Sequence, residues 1–165
     1  MRKMGACSGL APLRIACFHS FRMSGGNLRK QMCEFSNLAT SLGEQCEFRF
    51  LDSRHRCPAE KEAQMPARMQ ALLPPPYFEW WNARTLSDGT VSYDGEAGSL
   101  AHVCEFLARE GPFDGVLGFS QGGSLVSSCP PSVSLSSYRR ASRATLSARR
   151  SSLHRVSSPS ACRHC

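Results

Sequence analysis

The chain has 165 residues, 41% of them apolar and 20% charged, which suits one domain with a core of ordinary size and excludes most two-domain enzymes. Its formal net charge of +7 is local: residues 128 to 165 hold seven Arg and no acid, whereas residues 1 to 127 balance 13 basic side chains against 13 acidic ones, so the charge does not mark the folded part as a nucleic-acid binder. Nine cysteines at 7, 17, 33, 46, 57, 104, 129, 162 and 165 are odd in number and irregular in spacing, which excludes a disulfide framework and suits reduced thiols in the cytoplasm or the nucleus.

Residues 1 to 12 read as an N-terminal extension, in which Pro12, with Arg14 beyond it, breaks the apolar run before it reaches signal-peptide quality. No stretch approaches the roughly 18 consecutive apolar residues of a membrane span. "LRIACFHS" (13 to 20) is a short β-branched and aromatic run, a buried strand ending at His19. Leu28, Met32, Phe35, Leu38 and Leu42 then recur at spacings of three and four, predicting a helix over 27 to 42 of about four turns, with Asn27 as cap and Gly43 as stop. "CEFRFLD" (46 to 52) alternates as a second strand. Residues 53 to 92 show no period and contain Pro58, Pro66 and Pro74-Pro75-Pro76, a long loop of the lid or binding type. Within it "YFEWW" (77 to 81) needs apolar surroundings, either as the wall of a pocket or as a plug in the core.

"GEAGSLAHVCEFLARE" (95 to 110) marks a helical face with Leu100, Val103, Cys104 and Leu107 and ends at Gly111-Pro112, and "FDGVLGFS" is a further strand. Helices alternating with buried strands predict a three-layer α/β fold around a parallel sheet. The turn after the last strand, Gly118-Phe119-Ser120-Gln121-Gly122, fits G-x-S-x-G, the nucleophile elbow. In such a turn the serine backbone is strained and the residues two before and two after it approach so closely that a Cβ would collide. The following helix start leaves the Gln121 N–H free to face an oxyanion.

"GPFDGVLGFSQGG" resembles the elbow of the FSH family of serine hydrolases, the α/β-hydrolases that include the ovarian-cancer-associated esterase. "LRIACFHSFRMSGG", the following "LRKQ", the strand ending at Asp52 and the tryptophan pair before the "GEAGSL" helix fit the same family in the same order, over about residues 13 to 126. The resemblance implies an α/β-hydrolase sheet over 13 to 127. Ser120 would be the nucleophile on a small acyl ester or thioester, the backbone N–H groups of Phe21 and Gln121 the oxyanion hole, Gly118 and Gly122 the elbow glycines, and His19 a support for the loop rather than a base. No cofactor or metal is expected: the terminal "CRHC" is short of the four held ligands of a zinc site.

Two departures stand against that pattern. Ser20 occupies the place of a family glycine, which would strain the loop if the position needed positive φ. In hydrolases of this kind the acid and the His follow the serine along the chain; here the last carboxylate is Asp114, and His154 and His164 lie among Arg and Ser. From Ser128 the composition shifts to 12 Ser in 38 residues with Pro130-Pro131 at the start, a low-complexity, disordered tail that reads as a frame change, retained intron or alternative exon after Val126. The sheet is thus expected to be truncated after the elbow and hydrolysis impaired. The alternative is a non-catalytic product whose Ser/Arg tail binds an acidic partner such as RNA; the rest of the chain is expected to bind no nucleic acid.

Overall fold

A computed structural model describes residues 11–129. Three parallel strands form the main sheet in the order β2-β1-β7, with β1 (Leu13–Phe18) between β2 (Cys46–Leu51) and β7 (Gly115–Gly118). Register runs Leu13 to Cys46 and Phe18 to Leu51 on one side, and Ile15 to Gly115 and Phe18 to Gly118 on the other. Alternation along β1 sends Ala16 and Phe18 to one face and Ile15 and Cys17 to the other. Ala16 and Phe18 pack with Val103, Phe106 and Leu107 of α5 (Glu96–Glu110) and Leu125 of α6 (Gln121–Ser127). Cys17 packs with Leu28 and Met32, joined by Phe48, Phe50 and Leu117. The sheet is therefore covered on both faces, the three-layer α/β architecture of an α/β-hydrolase-like fold.

The helix expected over 27 to 42 differs in three ways. It starts earlier, as α1 (Gly25–Lys30), because Ser24 and not Asn27 is the cap, its hydroxyl accepting the Asn27 N–H at 3.1 Å. It continues through a π-helical turn at Gln31–Phe35 and breaks at Asn37, whose left-handed φ of 54° opens the separate α2 (Leu38–Leu42). The break explains why Phe35 and Leu38 are exposed while Leu28 and Met32 are buried. The later helix, α5, matches its expected span, though Phe106 and Ser99 are buried in place of the predicted Leu100 and Cys104.

Residues 53 to 92, expected as a long loop, hold short elements. These are β3 (His55–Arg56), α3 (Ala59–Glu62), α4 (Ala67–Leu72), β4 (Phe78–Glu79), β5 (Asn82–Thr85) and β6 (Val91–Asp94). The β5–β6 hairpin turns through Asp88 and Gly89, the latter at φ 84°, a sequence signal that the absence of a longer period obscures. Of the aromatic cluster, Tyr77 and Trp80 are fully buried plugs while Trp81 faces a cleft, so both readings of that cluster hold for different residues. Burial pushes the Cys17 thiol up to about 12, which leaves it an inert core residue. Cys33, Cys46 and Cys104 are only partly buried, and the thiols of Cys17, Cys33, Cys57, Cys104 and Cys129 are in no disulfide. No helix there is long and apolar enough to cross a membrane, and no cluster of His, Cys, Asp and Glu there could hold a metal ion.

Candidate active site

The chain leaves β7 at Gly118 and enters α6 at Gln121, so two residues make the whole turn. Ser120 carries the strain, at φ 53° and ψ −116°, a region that L-residues avoid. The flanking glycines show what holds it there. A Cβ on Gly118 would lie 2.4 Å from the Gly122 carbonyl oxygen, and one on Gly122 would lie 2.4 Å from that of Phe18 and 2.6 Å from that of His19. All of these contacts are with backbone, which cannot swing aside. The Phe119 N–H donates to Phe18 O at 3.1 Å, tying the turn to the end of β1.

Gln121 opens α6, and the first N–H groups of a helix have no partner within it. Its side chain has a second task that the sequence did not suggest. Oε1 accepts the Trp80 N–H at 3.0 Å and Nε2 donates to Trp81 O at 2.9 Å, clamping the tryptophan pair to the residue after Ser120. Trp80 in turn donates its indole N–H to His19 O at 2.8 Å and accepts from the Ser99 hydroxyl. The end of β1, the tryptophan pair and the start of α6 are thereby one hydrogen-bonded unit.

His19 sits at the centre of that unit, fully buried and stacked on Trp80 with 4.7 Å between ring centroids. Nε2 accepts the Ser53 N–H at 3.1 Å, so the ring proton is on Nδ1, which donates to Ser20 O at 2.8 Å. Burial holds its pKa below the usual value, against weaker opposing pulls from the Ser20 carbonyl and the Asp52 charge. With both nitrogens engaged and the neutral form favoured, the ring braces the loop. Ser20 lies outside the left-handed region; the strained non-glycine positions among the described residues are Arg22, Asn37 and Ser120. The strain anticipated at Ser20 falls instead on Arg22, at φ 52°.

Phe21, between these two, is 38% exposed. Ser120 and Gln121 line an open cleft of about 610 Å³ with Trp81, Tyr93, Glu96, Ser124 and Ser128. Trp81 and Tyr93 meet edge to face at 6.3 Å, giving the cleft an aromatic side. Tyr93 and Glu96 were not anticipated; the Asp-Gly hairpin signal preceding Tyr93 and the first-turn acid of α5 were the available clues. His154 and His164 lie outside the described residues. No histidine is among the residues lining the cleft.

Comparison with known proteins identifies the family. A family model described as serine hydrolase (FSH1) matches residues 8–134. Among curated proteins, the chain is 33% identical to Esterase OVCA2 of Danio rerio, over 70% of this chain and 54% of that protein. It is 31% identical to Esterase C25G4.2 of Caenorhabditis elegans, over 69% and 48%, and 32% identical to Esterase OVCA2 of Homo sapiens, over 69% and 52%. The chain thus spans about half the length of these relatives. With more than half of its residues matched by the family model, the chain belongs to the FSH1 serine hydrolase family.

Proposed function

We propose that residues 13 to 127 form the nucleophile-bearing part of a serine hydrolase that acts on small carboxylic esters or thioesters. In this reading the Ser120 hydroxyl attacks the carbonyl carbon, its proton passes to water in the cleft and from there to the leaving oxygen or sulfur, and the tetrahedral oxyanion is received by the Phe21 and Gln121 N–H groups. Collapse expels the alcohol or thiol and leaves an acyl-serine for water to clear. The observation that carries the reading is Ser120 itself, strained at φ 53° between two glycines that admit no Cβ, at the start of a helix and on the wall of a cleft. The names of its relatives, esterases, support the same chemistry.

Among the described residues no histidine lines the cleft beside Ser120, and His154 and His164, which follow it in the chain, lie outside them. We therefore propose that the described residues position the serine but do not by themselves supply the base that speeds turnover. A fluorophosphonate probe should label the full chain, and Ser120→Ala should abolish the label. Folded protein that takes no label would overturn the reading in favour of a non-catalytic product. That alternative would require salt-sensitive RNA binding that disappears on deletion of residues 128–165. A reducing compartment, the cytoplasm or the nucleus, belongs to the same proposal, supported by the free thiols among the described residues.

A further inference from the structure

The loop after β1 is held on its buried side by a carboxylate that the chemistry of Ser120 does not use. Glu79, in β4, is 1% exposed. Arg22 Nε donates to its Oε1 at 3.0 Å, Asn82 Nδ2 donates to its Oε2, and the Cys57 thiol donates to Oε1 at 3.6 Å. Burial first, and then the charge of Glu79, push the Cys57 thiol up, so it keeps the proton it donates. A buried carboxylate with this set of donors is fixed in place and fixes what it binds.

Of its partners, Arg22 has the uncommon backbone. A φ of 52° is natural for glycine or asparagine and not for arginine, so the local sequence does not favour it. The guanidinium is fixed from two directions, by Glu79 and by the Phe21 ring that it overlies at 4.9 Å. The residues flanking Glu79 pin the rest of the loop: the Phe78 N–H donates to Met23 O at 2.8 Å, and the Trp80 indole donates to His19 O at 2.8 Å. His19 and Met23 are thereby anchored, and the backbone angle at Arg22 decides the path of the chain through Phe21 between them.

We infer that Glu79 is a positioning residue for the proposed site: by holding Arg22 in its left-handed conformation it keeps the Phe21 N–H where the oxyanion of an acyl transfer would form. Its chemical meaning rests on the serine hydrolase reading, whereas its geometric content does not. Glu79 touches no reacting atom.

The test uses the full chain and two readouts, the second-order rate of fluorophosphonate labelling at Ser120 and the hydrogen exchange of the Phe78 amide, which its bond to Met23 O protects. Glu79→Gln preserves shape and removes the charge. Labelling is expected to slow about tenfold and Phe78 exchange to quicken about tenfold, while exchange in α5 stays at the wild-type rate and certifies the fold. Unchanged exchange at Phe78 overturns the inference, and so does an unchanged labelling rate where the wild type is labelled. If the wild type takes no label, the hydrolase reading fails, and Phe78 exchange alone decides whether Glu79 positions the loop. If Glu79→Gln loses the slow exchange of α5, Arg22→Lys, which keeps the charge but lacks the guanidinium fork, is read by the same two criteria.

Discussion

Two segments of this molecule hold a non-glycine residue at nearly the same unfavourable φ, Ser120 at 53° and Arg22 at 52°, and they do so by opposite means. Around Ser120 the constraint is backbone on backbone: Gly118, Gly122 and the carbonyls of Phe18 and His19 approach so closely that only hydrogen fits. Around Arg22 the constraint is a side chain reaching a buried carboxylate 57 positions away. Steric constraint cannot be bargained with and needs no partner chemistry. A polar constraint is conditional, and holds only while its charge and its donors are in place.

The largest effect should follow from filling the steric side of the comparison. Gly118→Ala or Gly122→Ala places a Cβ 2.4 Å from backbone oxygen, and relief requires α6 to part from β7 in the first case and from the end of β1 in the second. Each is expected to destabilise the fold by about 3 kcal/mol or more, measured by denaturant unfolding. Gly26→Ala is the control, since its Cβ would meet nothing nearer than the Ser24 hydroxyl at 3.6 Å and it lies within α1. There a gain of about 0.5–1 kcal/mol is expected. If all three variants behaved alike, the turn would not be sterically locked.

The same substitution made at both strained residues separates the two mechanisms. Ser120→Gly relieves left-handed strain and removes no ion pair, so the protein should gain about 1 kcal/mol while fluorophosphonate labelling disappears. Arg22→Gly relieves similar strain but strands the Glu79 carboxylate, whose side chain is 2% exposed. It should lose about 2 kcal/mol, because an uncompensated buried charge outweighs the strain removed. Equal signs from the two variants, in paired unfolding curves, would mean that the ion pair contributes nothing to holding the loop.

This contrast also explains how much could be read from the sequence. Gly118 and Gly122 advertise the turn because the requirement is local and falls on glycine, and the alternation of Cys17 with Ala16 and Phe18 advertises a sheet covered on both faces. The Arg22–Glu79 pair left no such mark. Its partners are far apart in the chain, and Glu79 stands in the sequence only as the single acid inside "YFEWW", where burial among aromatics demands a cation. The break at Asn37 was hidden for another reason: Phe35 and Leu38 continue the apolar spacing past the point where the backbone departs from it, so periodicity overstated the helix. The clamp made by Gln121 was illegible because its targets are the main-chain N–H of Trp80 and the carbonyl of Trp81, and backbone groups carry no residue signature.

The most gradual predicted effect concerns pH and the residue that joins the two segments. His19 touches both, through Trp80 on one side and through its carbonyl beside Gly122 on the other. Burial lowers its folded-state pKa below the ordinary value, despite the Ser20 carbonyl and Asp52 pulling upward. Above about pH 6.5 the ring is neutral in both folded and unfolded chains and its contribution is fully present. As pH falls below that value the unfolded chain takes up a proton that the folded chain refuses, so stability declines, by at most about 1.4 kcal/mol per pH unit, until pH has passed through the folded pKa. In His19→Gln this component is absent. Unfolding free energies measured from pH 7.5 downward should therefore converge between variant and wild type as acid is added. Parallel curves would mean that the buried ring accepts the proton in place, and that the brace between Arg22 and Ser120 is looser than its two hydrogen bonds imply.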